Sequence, residues 1–329
     1  MSKEKKLAKK EAKLEKKKAK LAKKNEIKRV KGKEFFNYKR RHGDRRDGWR
    51  VRGKDPFFGV IPHIMPTRTG SMVGFEERID TTNLDAFVRK MRRETDMKQL
   101  SRAMVIMAGL ARIMARYPQI NRFIRGRRIY ARNYMSIAMV VKKEMTVGGD
   151  ENVIKPMFNP DASLFDVYEA VHKEVEANKG DDIEANDTGA MAKILNALPV
   201  WLLKAFVNFV TYCDDHNKLT KFVNEVSPFH TSMFITDIGS TGISAVYHHL
   251  YDFGTCSEFI AIGRREKYFA DDGNGNPVRR SSITLRMMVD ERIVDGYTYA
   301  KAMRYLTHLI ENPEELLEKY TEWNEDPLC

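Results

Sequence analysis

Cysteine is scarce in this sequence. The three present, Cys213, Cys256 and Cys329, are scattered, with no Cys-x-x-Cys pair and no histidine at metal-ligand spacing. That argues against a disulfide framework and against a zinc site, and it favours a reducing, cytoplasmic setting. Apolar runs of bilayer-spanning length are missing too. The strongest, "LPVWLLKAFVNFVTYC" from Leu198 to Cys213, is interrupted by Lys204 and Asn208 and is shorter than the roughly 20 residues such a helix needs. The N-terminus has no continuous apolar core and does not read as a secretory signal. A chain of 329 residues with 42% hydrophobic content can bury one large core, or one domain with appendages.

Charge is plentiful but unevenly placed. Residues 1–54 hold 24 Lys and Arg against 7 Asp and Glu, and the remainder holds 34 against 38, so the overall +13 belongs to the N-terminal arm. The arm opens "MSKEKKLAKKEAKLEKKKAKLAKK", rich in good helix formers. Leu7, Leu14 and Leu21 give one large apolar residue per heptad, too thin a seam for a coiled coil. A basic, partly helical or disordered arm is therefore expected, either simply solvated or touching RNA or an anionic membrane by unspecific charge attraction. From Phe35 to Arg52 aromatics interleave with arginine, a pattern that suits base stacking or packing over a neighbouring subunit.

The body, residues 55–329, reads as alternating strands and helices. "SMVGFEERID" (Ser71 to Asp80) predicts a strand. Thr81-Thr82-Asn83 supplies a cap for a helix with Leu84, Phe87, Val88 and Met91 on one face. A second helix, about Lys98 to Arg116, is apolar nearly all round and is expected at the centre. "YPQINRFIRGRRIYARN" gives short strands around a glycine turn, "MSIAMVVKK" a strand, and "SLFDVYEAVHKEV" an amphipathic helix. The apolar stretch 198–213 is expected as a buried helix or one docked on another subunit, with membrane-surface contact as the other reading. "TSMFITDIG" and "EFIAIGRREKYFA" predict strands, and "DDGNGNP" joins the latter to "RRSSITLRMMVD" as a hairpin. No Lys-Ser/Thr and no helix follow that glycine run, so it is not a phosphate loop. Tyr299, Met303, Leu306 and Ile310 mark a last amphipathic helix.

The order of "RYPQINRFI", "TSMFITDIGSTG", "EFIAIGR" and "MMVDERIVDGYTYAKAMRYLTHLIENPEELL" resembles the catalytic domain of the dihydrolipoyl acyltransferases of 2-oxoacid dehydrogenase complexes. The resemblance covers about Asp55 to Leu317, with a longer segment around 181–229 expected as a helical insertion. It implies an α/β, chloramphenicol acetyltransferase-like two-layer sandwich, a mixed β-sheet with helices packed on one side, and a homotrimer. It implies acyl-coenzyme A as partner, with coenzyme A thioester as substrate, no metal, and a site at the subunit interface. There a histidine takes the proton from a thiol that attacks a thioester, and a hydroxyl from the neighbouring subunit stabilises the oxyanion. The lipoyl domain and small subunit-binding domain of working complex members have no counterpart in the sequence, so no covalent lipoyl group is expected.

The family motif is His-x-x-x-Asp-Gly, and here Glu291 stands at the histidine position, with Asp295 and Gly296 matching Asp-Gly. The resemblance gives Asp295 a structural ion pair, for which Arg68 is the expected partner, and assigns the oxyanion hydroxyl to Thr236. A glutamate near pKa 4.3 is about four units below a thiol, roughly 5 to 6 kcal/mol uphill for proton transfer. Burial in a dry interface channel can narrow that gap. Three histidines, His230, His248 and His249, flank the Thr236 strand in sequence and are alternative bases. Two readings follow: a stand-alone coenzyme A-dependent acyltransferase, or an inactive family member serving as a trimeric structural or regulatory protein.

Overall fold

Period-two alternation along the strands builds the molecule around one sheet. In a computed structural model describing residues 41–53, 56–142, 151–177 and 195–328, Ile137, Ile235, Ile260, Ile262, Leu285 and Met287 line one face and join the main core. Ala138, Phe234 and Phe259 line the other face, where Leu250 and Cys256 cover them. Residues 1–40 of the arm and 178–194 of the insertion lie outside the described residues.

The spine is β11 (Pro277–Asp290). It pairs antiparallel with β2 (Met72–Asp80), β9 (Glu258–Ile262) and β10 (Glu266–Asp271). From β9 the sheet continues through β8 (Met233–Asp237) to β5 (Met135–Lys142), both junctions parallel, and then to β6 (Glu151–Ile154), antiparallel. The sheet is mixed, and α2 (Thr82–Glu94), α3 (Arg102–Arg116), α4 (Leu164–Ala177) and α7 (Gly296–Glu311) pack their apolar residues on its one helical side. This is an α/β two-layer sandwich. The central helix α3 starts later than the periodicity suggests, because Ser101 caps it by accepting from the Met104 N–H. It lies so close to α7 that a Cβ on Gly109 would sit 2.9 Å from Leu306 Cδ1.

A small second sheet, β1 (Gly48–Arg50), β4 (Arg128–Arg132) and β3 (Arg122–Arg125), stands beside it. The β3–β4 turn has φ of 52° at Gly126 and 57° at Arg127, the two positive values that a two-residue hairpin turn favours. Three of the five arginines of this hairpin are consumed internally, while Arg127 and Arg128 are exposed. Arg122 forks onto Asp326 at 2.6 and 2.7 Å, Arg125 pairs with Asp214, and Arg132 donates to the Thr255 carbonyl at 2.6 Å.

Residues 41–53 belong to the packed fold, so packing begins before the expected end of the arm at residue 54. Val51 joins the main core, and the guanidinium of Arg45 is buried over Phe123 and Tyr130. Arg45 is thereby unavailable for stacking on bases. The stretch 198–213 supplies α5 (Val200–Asp215). The apolar stretch is helical, but in this chain only Val210 and Asp214 of it are buried, and Trp201 is 72% and Phe209 65% exposed. Its apolar residues run all round the helix, and one stripe alone meets the body.

The helical side of the core encloses one carboxyl. Glu258 shares its strand face with Ile260 and Ile262, is fully buried, and has only the Tyr299 hydroxyl, 3.4 Å from Oε2, as partner, while Oε1 has none. Burial pushes it up to about 8 from an ordinary value of 4.5, against a small opposing effect of the Tyr299 bond. The folded state therefore holds a proton that the unfolded state has lost between those values. The stability this contributes is complete below pH 4.5 and disappears as pH rises through 8, with a slope of at most about 1.4 kcal/mol per pH unit. Urea midpoints measured from pH 5 to 8.5 are expected to fall for the native protein and to stay nearly level, over that component, for Glu258→Gln; parallel curves would refute the assignment.

Candidate active site

The turn after β11 is set by a buried ion cluster. Asp290, fully buried at the strand end, receives Arg292 through Nε to Oδ1 and Nη2 to Oδ2, both at 2.7 Å, and Arg68 Nε lies 3.7 Å away. Arg292 also donates to the Met65 carbonyl at 2.7 Å. With residues 290 and 292 both turned inward, the side chain between them is left outside. Glu291 is exposed, and its backbone N–H donates to the Ser71 carbonyl at 3.1 Å.

The expected Arg68 to Asp295 pair is not formed. Arg68 turns to Asp290, because that carboxylate is the one facing the interior, while Asp295 stands at the start of α7 and caps it. Its Oδ1 accepts from the Thr298 N–H at 2.9 Å and its Oδ2 from the Thr298 hydroxyl at 2.7 Å. Partial burial works to raise this carboxyl, but the Thr298 hydrogen bonds outweigh it and hold it below the ordinary range.

Glu291 stands on the rim of a groove of about 590 Å³ between β2, the end of β11 and α7. Phe58, Val73, Phe75, Val294 and Met303 make it apolar, and Glu77, Glu291, Asp295 and Arg304 supply charge. Tyr299 closes one wall, edge-on to Phe75 at 5.1 Å, with its hydroxyl turned to the buried Glu258. The groove is shaped for an aliphatic or aryl group with a polar end at its mouth. Glu258 escaped the sequence reading, although the alternation in "EFIAIG" places its carboxyl on the apolar face of the strand.

Thr236 is elsewhere. It is half-buried near the end of β8, on the sheet face away from the helices, and its register partner chain runs through Ala261 to Arg286. Glu291 lies five residues beyond Arg286 along β11 and two strand spacings across, so the two are separated by roughly 20 Å. One chain does not bring them together.

The three histidines do not line the groove either. His248 stacks on Phe259 at 3.8 Å and on His249 at 5.0 Å, on the sheet face away from the helices. Burial keeps its pKa below the ordinary value. His249 is exposed. His230 is fully buried, with Nδ1 2.8 Å from Ser227 Oγ and Nε2 3.3 Å from Asp214 Oδ2. That is the connectivity of a serine–histidine–aspartate array, and burial holds His230 down. Yet Asp214 is already taken by Arg45 and Arg125, and the array borders neither the groove nor the smaller cavity near Met114. It is a clasp between α5 and the strand that follows. Among the described residues no cluster of three His, Cys, Asp or Glu is arranged to hold a metal ion.

Comparison with known proteins gives a family match in one part of the chain. Residues 229–318 match the model of the 2-oxoacid dehydrogenases acyltransferase (catalytic domain). No curated protein matches. Among solved structures, the chain is similar to a probable dihydrolipoamide acetyltransferase from Listeria monocytogenes, at 14% identity over 79% of this chain and 94% of that one, with a TM-score of 0.48. It is also similar to the truncated catalytic core of the 2-oxoacid dehydrogenase multienzyme complex from Thermoplasma acidophilum, at 16% identity over 80% and 98%, with a TM-score of 0.46. Strands β8 to β11, the Glu291 turn and the helix α7 beside the groove fall inside the matched stretch, so residues 229–318 are similar to the 2-oxoacid dehydrogenase acyltransferase catalytic domain.

Proposed function

We propose that this protein transfers an acyl group from a coenzyme A thioester, with the groove between β2 and α7 receiving the acyl chain and Glu291 standing where the family has its histidine. The observation that carries this reading is the Asp290–Arg292 clasp, which fixes residue 291 at the mouth of an apolar groove. A thiol or other acceptor entering there meets a carboxylate as its proton acceptor. In the open chain that exchange runs uphill by several kcal/mol. A second copy laid over the rim expels water from the mouth of the groove.

The same second copy answers the placement of Thr236. An oxyanion donor must lie within about 3 Å of the reacting oxygen, and the Thr236 of the same chain is far out of reach. The hydroxyl therefore comes from a neighbouring copy, in a closed trimer with one site per interface. The exposure of Glu291 in a single chain favours a second reading, a coenzyme A-binding trimer that has lost the chemistry.

Acetyl transfer from acetyl-coenzyme A to dihydrolipoamide separates the two. Measurable turnover that falls at least about 100-fold in Glu291→Gln is expected for a glutamate base. An inactive native protein with an active Glu291→His variant would establish the inactive-scaffold reading, and no coenzyme A binding by either would sink both. In a mixing experiment, Thr236→Ala and Glu291→Gln proteins, each deficient alone, are expected to regain roughly a quarter of native activity after co-refolding, the share of interfaces that pair two intact residues. Activity that stays at the level of the separate variants would place Thr236 outside the site.

A further inference from the structure

We infer that α5 is a docking element for an anionic membrane surface, lying in the plane of the headgroups while the basic arm holds the chain there. The helix is apolar on nearly every side. Val200, Trp201, Phe206, Val207, Phe209 and Tyr212 are all exposed, and Lys204 is the one charged residue before its last two positions. A helix of this kind is stable only when something covers it. At 16 residues it is about 24 Å long, short of a bilayer core of about 30 Å, and no helix among the described residues is long and apolar enough to cross a membrane. Lying flat is the geometry left to it, with Trp201 and Tyr212 suited to the headgroup boundary.

The choice of an anionic lipid surface rests on where the arm is rooted. Arg45 Nη2 binds Asp214 Oδ1, in the last turn of α5, at 2.6 Å, and Asn217 just beyond the helix donates to the Asp44 carbonyl at 3.0 Å. A third tie runs from Asn224 Nδ2 to Asp47 Oδ2 at 3.1 Å. The 18 Lys and Arg of residues 1–40 lead in sequence directly into the segment anchored at this helix. Asp214 is buried, and Asp215 lies 3.4 Å from Arg125, so the acids of the helix end are engaged by arginines of the body. An apolar insert alone binds weakly; an insert with a polybasic segment gives the two signals that stable membrane-surface binding takes. A second copy of the chain offers α5 an apolar cover, but its body is close to neutral, 34 Lys and Arg against 38 Asp and Glu beyond residue 54, and gives the polybasic arm far less to hold than an anionic lipid surface does.

The test is co-sedimentation of the full-length protein with phosphatidylcholine vesicles, with and without phosphatidylserine. Binding to the phosphatidylserine vesicles alone, weakened at least about tenfold in the Trp201→Ser, Phe209→Ser double variant at unchanged thermal melting, is the expected result. Replacing the lysines of residues 1–24 by glutamine is expected to lower binding and flatten its salt dependence. The inference is overturned if neither vesicle binds, if the double variant binds as well as the native chain, or if it dissociates an oligomer, which would make α5 a contact between copies.

Discussion

Arg292 reaching back onto Asp290 is the constraint from which the site follows. The two residues flank a single position at the end of the central strand, both pointing into the protein, and whatever stands between them is turned to the solvent at the groove. Arg68, from the segment ahead of β2, adds its charge to the same carboxylate, so the turn is tied to the sheet edge as well as to itself. A carboxylate buried with two guanidinium groups is not by itself a large source of stability, because desolvation offsets most of the attraction. Its effect is geometric: breaking it would leave uncompensated charge inside. This also explains how the chain accommodates a glutamate at the position where the sequence resemblance leads one to expect a histidine. The fold needs residues 290 and 292 and is indifferent to the side chain between them.

Much of the sheet and its helices was legible, because strands such as "SMFITD" and "EFIAI" alternate cleanly and α2, α3 and α7 repeat at helical spacing. Asp295 caps α7 where an ion pair with Arg68 was expected, since a capping bond to a residue three positions on and a long-range ion pair look alike in one dimension. Thr236 and Glu291 lie near strand ends, and only the register of β8, β9 and β11 reveals that these are opposite ends. The exposure of α5 could not be read from composition, because an apolar helix gives the same pattern whether the core or an external surface covers it.

Basic residues illustrate the limit of counting. "RFIRGRRIYAR" looks like part of a cationic surface, but three of its five arginines, Arg122, Arg125 and Arg132, are buried against distant acids and carbonyls. The groove, by contrast, owes its depth to ordinary aliphatic and aromatic residues, with Glu258 as the one chemically unusual group behind its wall. A protonated acid there keeps the interior free of net charge at neutral pH, which a carboxylate in the same place would not.

The clasp between Arg45 and Asp214 joins residues 169 positions apart in the chain. At the usual pace of translation, about 5 to 20 residues per second, the first partner emerges roughly 10 to 30 s before the second exists. For that interval the guanidinium has only Asp47, two residues on, to receive it, and the segment is carried, still strongly cationic, past the phosphate-rich surface of the ribosome that is making it. The order of synthesis thus asks the rest of the molecule to fold before its own beginning can be put away.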